Sequence, residues 1–346
     1  MIDVAIIGAS GYGGGELLRW LTWHPEAKIK VATSNTYAGQ PVHASFPGLA
    51  KWSDLTFSDG SDQMEIGGCN VVFLARDNGY AMGAAPELLD MGCKVIDLSA
   101  DFRFRNHEEH AVWYKMVHAS PELTSTAVYG LPELHQDEIK SASLVANPGC
   151  YTTTSILALA PLVTANLVDT GSIIIDGKSG VSGAGRSKFG LDYHFSEVNE
   201  STSAYKVAGT HRHTGEIEQE LSLLAGHALK VSFTPHLVPM TRGILATCYA
   251  NLSSTKSVAE LKTLFRDFYA NAPFVHITDS LPSTKHVTGS NMCHIGIAVD
   301  GRTNRVTVVS ATDNLGKGMV GQAIQNMNIM CGLEQTAGLN IPGQWP

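Results

Sequence analysis

No stretch of this sequence is long and apolar enough to span a bilayer: its longest apolar runs, such as Ile173-Ile174-Ile175 and Val71-Val72-Phe73-Leu74, are strand-sized. A secretory opening is lacking too. Met1-Ile2-Asp3-Val4-Ala5-Ile6-Ile7-Gly8 has neither the basic start nor the longer apolar core of a signal and reads as a first strand, which makes a cytoplasmic location the expectation. The six cysteines, Cys69, Cys93, Cys150, Cys248, Cys293 and Cys331, form no CxxC pair. Neither a zinc ribbon nor a disulfide framework is therefore indicated; reduced thiols and no metal are expected. Cationic excess is missing as well, because 24 Lys and Arg against 32 Asp and Glu give a formal charge of -8. That balance argues against non-specific nucleic-acid binding, and an anionic small substrate would need a local basic pocket. No Gly/Ser, Pro or charge run marks a linker or a low-complexity tail, and no internal repeat is visible.

What is present is an ordinary globular composition, 44% hydrophobic and 16% charged, over 346 residues, more than one core usually organises. Two domains are the expectation. In the first third, β-branched runs (Val4 to Ile7, Ile29 to Thr33, Val71 to Leu74, Val95 to Leu98) alternate with helical segments at Glu16 to Trp23 and Ala81 to Met91. Such alternation predicts a doubly wound, mostly parallel sheet. Beyond Gly149 a helix at Tyr151 to Leu162 precedes strands at Ser172 to Asp176, Lys230 to Leu237, Ile244 to Asn251, His294 to Val299 and Arg305 to Ala311. A helix at Ser257 to Ala270 interrupts those strands, and a final one at Lys317 to Met330 could return to the first domain. The fold class is α/β: an N-terminal Rossmann-like dinucleotide-binding domain, 1–147 with 313–346, and an α+β catalytic and dimerisation domain with a mixed sheet, 148–312.

Gly8-Ala9-Ser10-Gly11-Tyr12-Gly13-Gly14 follows the first strand and opens a helix, the context a dinucleotide turn requires. Gly8, Gly11 and Gly14 match GxxGxxG, which still permits a tight turn and close approach to a pyrophosphate; an ordinary Gly-rich turn is the alternative. Where an acid would bind the 2′-hydroxyl of NAD, the chain has Ala32-Thr33-Ser34-Asn35-Thr36. Groups able to donate to a 2′-phosphate, Ser34 and Asn35 among them, favour NADP over NAD.

Ala146-Asn147-Pro148-Gly149-Cys150-Tyr151-Thr152 places one cysteine after a Pro-Gly turn and at the head of an apolar helix. Unpaired N–H groups and the helix dipole favour thiolate there and could hold an oxyanion. A buried, inert cysteine is the alternative for Cys150 and the preferred reading for the other five. His211 and His213 in Gly209-Thr210-His211-Arg212-His213 are the best candidates for a base; if the stretch is extended, both rings face one side.

The cysteine segment resembles the active-site sequence of the N-acetyl-gamma-glutamyl-phosphate reductase family, relatives of aspartate-semialdehyde dehydrogenase. Similar to that family in the same order are the Gly8 to Gly14 turn, Asp97-Leu98-Ser99-Ala100-Asp101-Phe102-Arg103, Tyr129-Gly130-Leu131-Pro132-Glu133, Ser179-Gly180-Val181-Ser182-Gly183-Ala184-Gly185-Arg186, His211-Arg212-His213 and Asn314-Leu315-Gly316-Lys317-Gly318. The match runs end to end, departing at Gly215, where the family often has Pro, and in the C-terminal Gly332 to Leu339. The resemblance implies an NADPH-dependent acyl-phosphate reductase with Cys150 as nucleophile and His211 as acid/base, acting on a small acyl phosphate or semialdehyde with inorganic phosphate. By the same carry-over His213 is a substrate contact; Arg103 and Arg186, in loop segments, are the candidates for phosphate ligands, with pairing to Asp101 or Glu197 as the alternative, and Tyr205 and Arg242 are further candidates for substrate contacts. Cofactor contacts would come from Gly8, Ser10, Gly11, Tyr12, Gly13, Gly14, Ser34, Asn35, Ser182, Gly183 and Asn314, and a homodimer or homotetramer is the family-level expectation. The rivals are a carrier-bound aminoadipyl-phosphate reductase of lysine biosynthesis, a non-catalytic NADPH-binding regulator, and a thiol-redox or hydrolytic cysteine enzyme.

Overall fold

The computed structural model describes residues 1–187 and 190–344. The chain divides into two compact units. The first comprises Met1–Pro148, Gly185–Ser187 and Met319–Asn340; the second comprises Gly149–Ala184 and, among the described residues, 190–318 and 341–344.

In the first unit six parallel strands, β1 (Ile2–Ile7), β2 (Ala27–Ala32), β3 (Val71–Leu74), β4 (Lys94–Asp97), β5 (Val128–Tyr129) and β6 (Leu144–Ala146), run in the order β2-β1-β3-β4-β6-β5. The side chains fit that order. β3 reads Val-Val-Phe-Leu and is buried throughout, as a strand covered on both faces must be. β2 reads Ala-Lys-Ile-Lys-Val-Ala with both lysines exposed, and charge of this kind protects an edge. Since the chain steps from β1 to β2 on one side and to β3 on the other, the winding reverses at β1. The carboxyl ends of β1 and β3 therefore flank the crevice where such sheets take ligands.

The last helix, Gly321–Met330, belongs to this unit and buries every one of its residues, among them the amides of Gln322, Gln325, Asn326 and Asn328. Those amides tie the unit together. Asn326 Nδ2 donates to the Gly130 carbonyl (2.9 Å) and to Asn147 Oδ1 (3.1 Å), and Asn328 Oδ1 meets His24 Nε2 at 2.9 Å.

The second unit holds a mixed sheet of β7 (Val168–Ser179), β8 (Ser203–Ala204), β9 (Ser232–Leu237), β10 (Ile244–Leu252), β11 (Val275–Ile277), β12 (Cys293–Asp300) and β13 (Arg305–Thr312), in the order β11-β12-β13-β10-β7-β9-β8. β10 alternates buried with half-buried residues along its whole length, the pattern of a sheet covered fully on one face. The cover is the helix Cys150–Thr164, in which residues 151–163 are all buried. Thr154 ties it to the sheet: its hydroxyl meets Thr312 Oγ1 at 2.6 Å, and Ser310 Oγ donates to its carbonyl at 2.7 Å.

The helices His107–Tyr114, Pro132–Ser141 and His213–Ala225 and the strands β5, β6, β8 and β11 were not legible in the sequence. Strands of two or three residues carry no period to read. The segment His107–Tyr114 buries only His110, so it lacks an apolar stripe. Among the described residues no helix is long and apolar enough to cross a membrane.

His110 is fully buried, stacked on the Tyr114 ring at 4.8 Å, and neither of its ring nitrogens has a hydrogen-bond partner among the described residues. Burial, then the neighbouring His118, lowers its pKa to about 4. At neutral pH the ring is uncharged in folded and unfolded chains alike. As pH falls from the ordinary histidine value near 6.5 towards 4, only the unfolded chain takes the proton, so stability is lost on the acid side. His110→Phe should therefore raise the thermal midpoint at pH 5 relative to wild type by more than it does at pH 7.5. An equal change at both pH values would contradict the buried neutral ring.

Candidate active site

Cys150 is the first residue of its helix, with Gly149 as the N-cap at φ -70°, ψ 153°. That start is fixed by a buried carboxylate. Glu216, with no exposed surface, accepts at Oε1 from Gly149 N (2.8 Å) and from Thr152 Oγ1 (2.8 Å). Gly318 closes in on the other side: a Cβ placed on it would lie 2.9 Å from Cys150 Cβ and 3.1 Å from the Asp313 carbonyl oxygen. It belongs to a single π-helical turn, Gly316–Val320, an element that recurs at functional sites. The predicted helix from Lys317 thus opens on this turn.

His211 and His213 are not on an extended segment. Arg212 has αR torsions and His213 is the first residue of the helix His213–Ala225. The alternation argument therefore fails, yet the two rings lie 4.8 Å apart because the chain turns: His213 N donates to His211 Nδ1 at 3.1 Å. Tyr205 and Tyr151 meet the His211 ring edge-on at 5.6 and 5.8 Å, and Phe233 meets it at 5.4 Å. In this apolar nest burial, followed by the charge that His213 could carry, lowers the His211 pKa to about 2, so the ring is neutral. Burial likewise pushes Tyr205 up to about 12 and Tyr151 upward, and the nearby Cys150 charge adds to both. Cys150, Tyr205, His211 and His213 are thus gathered in the second unit. Tyr151, whose hydroxyl donates to the His236 carbonyl at 3.0 Å, joins them unforeseen. Its only signal in the sequence was adjacency to the cysteine.

Of the remaining cysteines, Cys69, Cys93, Cys248 and Cys293 are buried packing residues and Cys331 is half-buried. Burial raises Cys69 to about 11 and Cys248 to about 12, and raises Cys93 and Cys331 as well. No group of three or more His, Cys, Asp or Glu able to hold a metal ion occurs among the described residues.

In the first unit the glycine turn has the shape a dinucleotide needs. Gly8 has φ +88°, and a Cβ there would lie 2.4 Å from the Ala75 carbonyl oxygen; one on Gly14 would lie 2.5 Å from Ala9 Cα, where helix packs on strand. At Gly11 the nearest atom to such a carbon is 3.8 Å away, so the space before the helix Tyr12–Leu21 is open to a backbone-hugging phosphate. Tyr12 opens that helix and Gly13 faces Met319. Ser34 Oγ donates to Ser10 Oγ at 2.8 Å, joining the ends of β1 and β2, and Asn35 is exposed beside them. These residues fit NADP.

The arginines are placed differently from one another. Arg103 is buried, donating from Nε to the Asn147 carbonyl (2.7 Å) and from Nη2 to the Leu98 carbonyl (3.1 Å). Asn147 N donates to the Asp97 carbonyl at 2.8 Å, so Arg103 braces the strand end that leads to the cysteine turn. Arg186 donates to the Ser10 carbonyl at 3.0 Å and lies over the Tyr37 and Phe46 rings, with the glycine turn. Arg242 pairs with the buried Asp313 at 2.8 Å. Asn314 accepts at Oδ1 from Gly243 N (2.7 Å) and donates to Ser182 Oγ (2.9 Å), so Ser182, Gly183 and Asn314 form one cluster in the second unit.

A parallel sheet of the dinucleotide-binding kind, followed by a unit with a mixed sheet, matches the semialdehyde dehydrogenase fold. Residues 3–142 match the family described as semialdehyde dehydrogenase, NAD binding domain, and residues 150–314 the one described as semialdehyde dehydrogenase, dimerisation domain. Two solved structures share the fold: an aspartate semialdehyde dehydrogenase II from Vibrio cholerae (TM-score 0.72, 15% identity, 96% of this chain and 98% of that one) and one from Candida albicans with NADP (TM-score 0.67, 15% identity, 95% and 99%). An N-acetyl-gamma-glutamyl-phosphate reductase from Symbiobacterium thermophilum is 53% identical over 98% of this chain and 97% of its own. The chain belongs to the N-acetyl-gamma-glutamyl-phosphate reductase family.

The seat of Cys150 yields a test. Gly318→Ala drives a methyl group against the Cys150 Cβ, and displacement of the sulfur by a fraction of an ångström to one ångström should lower turnover by roughly 10- to 100-fold. The rate of Cys150 alkylation by iodoacetamide should change with it. Unaltered turnover and alkylation would show that the close approach does not position the thiol.

Proposed function

We propose that the chain reduces N-acetyl-gamma-glutamyl phosphate to N-acetylglutamate 5-semialdehyde and inorganic phosphate with NADPH, in arginine biosynthesis. Cys150 carries the reading: its thiol stands on the first residue of a buried helix, in one cluster with Tyr205, His211 and His213. The Cys150 thiolate attacks the γ-carbonyl carbon. A carbon–sulfur bond forms, the carbon–oxygen bond to phosphate breaks, and phosphate departs with the bonding pair. When bound, NADPH supplies the hydride that the thioester carbon accepts.

His211 holds a proton for the oxygen that becomes negative. Its Nδ1 accepts from His213 N, so the neutral ring carries hydrogen on Nε2, and that N–H donates to the oxyanion. Cleavage of the carbon–sulfur bond then releases the aldehyde and returns the thiolate to Cys150. Serine would not serve, since an alcohol is un-ionised at neutral pH and an oxygen ester accepts hydride poorly.

In the second unit Tyr205 and His213 contact the acyl chain, and Arg242, paired with Asp313, supplies positive charge to the substrate. In the first unit the dinucleotide is held by Gly8, Ser10, Gly11, Tyr12, Gly13, Gly14, Ser34 and Asn35. The chain works in the cytoplasm as a homodimer or homotetramer. A second copy covers the open face of the seven-stranded sheet, where Leu245, Thr247 and Tyr249 lie opposite Lys178, Asp176 and the 38% exposed Ile174.

Two measurements check this. NADPH formation from N-acetylglutamate semialdehyde and NADP should require inorganic phosphate. Cys150→Ser should lose turnover by at least about a thousandfold while still binding NADPH. Phosphate-independent reduction of NADP, or near-wild-type turnover of the serine variant, would overturn the proposal.

A further inference from the structure

One cation in the first unit has no role in the scheme above. Arg76 lies two residues beyond β3, and its side chain runs across the sheet: its Cδ is 2.7 Å from the position of a Cβ on Gly8, beyond β1, and its Nη1 donates to Asn35 Oδ1, beyond β2, at 3.4 Å. In a sheet ordered β2-β1-β3, a side chain rooted after β3 that reaches a residue after β2 must pass over the carboxyl end of β1. That place is where the adenosine ribose of a dinucleotide lies in such sheets.

The guanidinium is oriented and uncompensated. Its carbon lies 4.8 Å from the centroid of the Tyr80 ring, at the start of the helix Tyr80–Asp90, which fixes the guanidinium against an aromatic face. Among the described residues Arg76 pairs with no carboxylate; Asn35 is its hydrogen-bond partner. The segment Thr33 to Gln40 that it approaches contains no acid. A ribose with a free 2′-hydroxyl is held by an acid at this place, whereas a 2′-phosphate needs a cation with forked donors.

We infer that Arg76 is the specificity-determining residue for the 2′-phosphate, its guanidinium bridging that group and Asn35 with Tyr80 behind it. The inference rests on the NADP reading. Arg186 does a different job, bonding the Ser10 carbonyl and packing on Tyr37 and Phe46.

Calorimetric titration of the full chain with NADPH, NADH, 2′,5′-ADP and 5′-AMP tests it without any turnover. Arg76→Gln keeps a donor to Asn35 and removes the charge. It should weaken NADPH and 2′,5′-ADP by about 10- to 100-fold, and NADH and 5′-AMP by no more than about twofold; Arg76→Lys should recover part of the loss. If wild type prefers NADPH and the glutamine variant retains that preference, or if all four ligands weaken alike, the assignment to Arg76 is wrong although the cofactor reading stands. Should wild type bind NADH as tightly as NADPH, the cofactor reading fails and the assignment fails with it.

Discussion

The hydrogen bond from Gly149 N to the buried Glu216 carboxylate is the contact on which the reacting centre depends. A helix can begin one residue earlier or later at little cost, and a shift of one residue would rotate the thiol by about 100° around the helix axis. The carboxylate removes that freedom. It takes the N–H of the cap residue and the Thr152 hydroxyl together, so the start is fixed at Cys150. Glu216 stands three residues after His213, on the helix that also brings up the histidine pair. One short segment thereby sets both the origin of the cysteine helix and the ring that faces it.

Close approach does similar work elsewhere. The turn at Gly316–Val320 can lie against Cys150 because Gly318 has no side chain, and the first strand can turn into its helix because Gly8 and Gly14 have none. In each case the missing carbon lets backbone occupy space that a reacting or binding group then shares. Buried histidine follows the same economy: burial keeps His211 neutral, which suits a donor to an oxyanion and ill suits a permanent cation.

Local chemistry decided how much of this was legible. The Gly8 to Gly14 turn and the cysteine after Pro148-Gly149 were readable because their neighbours in sequence are their neighbours in space. The parallel sheet of the first unit was readable from the alternation of β-branched runs with helical segments, whereas its strand order was not. Glu216 was not readable: it meets Gly149 across 67 residues, and nothing in Thr214-Gly215-Glu216-Ile217 distinguishes a buried carboxylate from a solvated one. The His211 and His213 rings were expected together on an extended segment and are together on a turn into a helix. Arg76 was not readable as a neighbour of Asn35, because its side chain arrives from beyond β3 across 41 residues of sequence. Arg242 was expected as a substrate contact, and its pairing with Asp313, 71 residues away, was not readable in the sequence.

The central claim is that the acyl group is carried on one sulfur. Intact-protein and peptide mass spectrometry of the chain mixed with N-acetyl-gamma-glutamyl phosphate, nucleotide withheld, tests it most directly. The account predicts an N-acetylglutamyl adduct on Cys150, labile to hydroxylamine and lost when NADPH is added. Turnover in the full mixture with no adduct at Cys150 under those conditions, or with one on another residue, would contradict it.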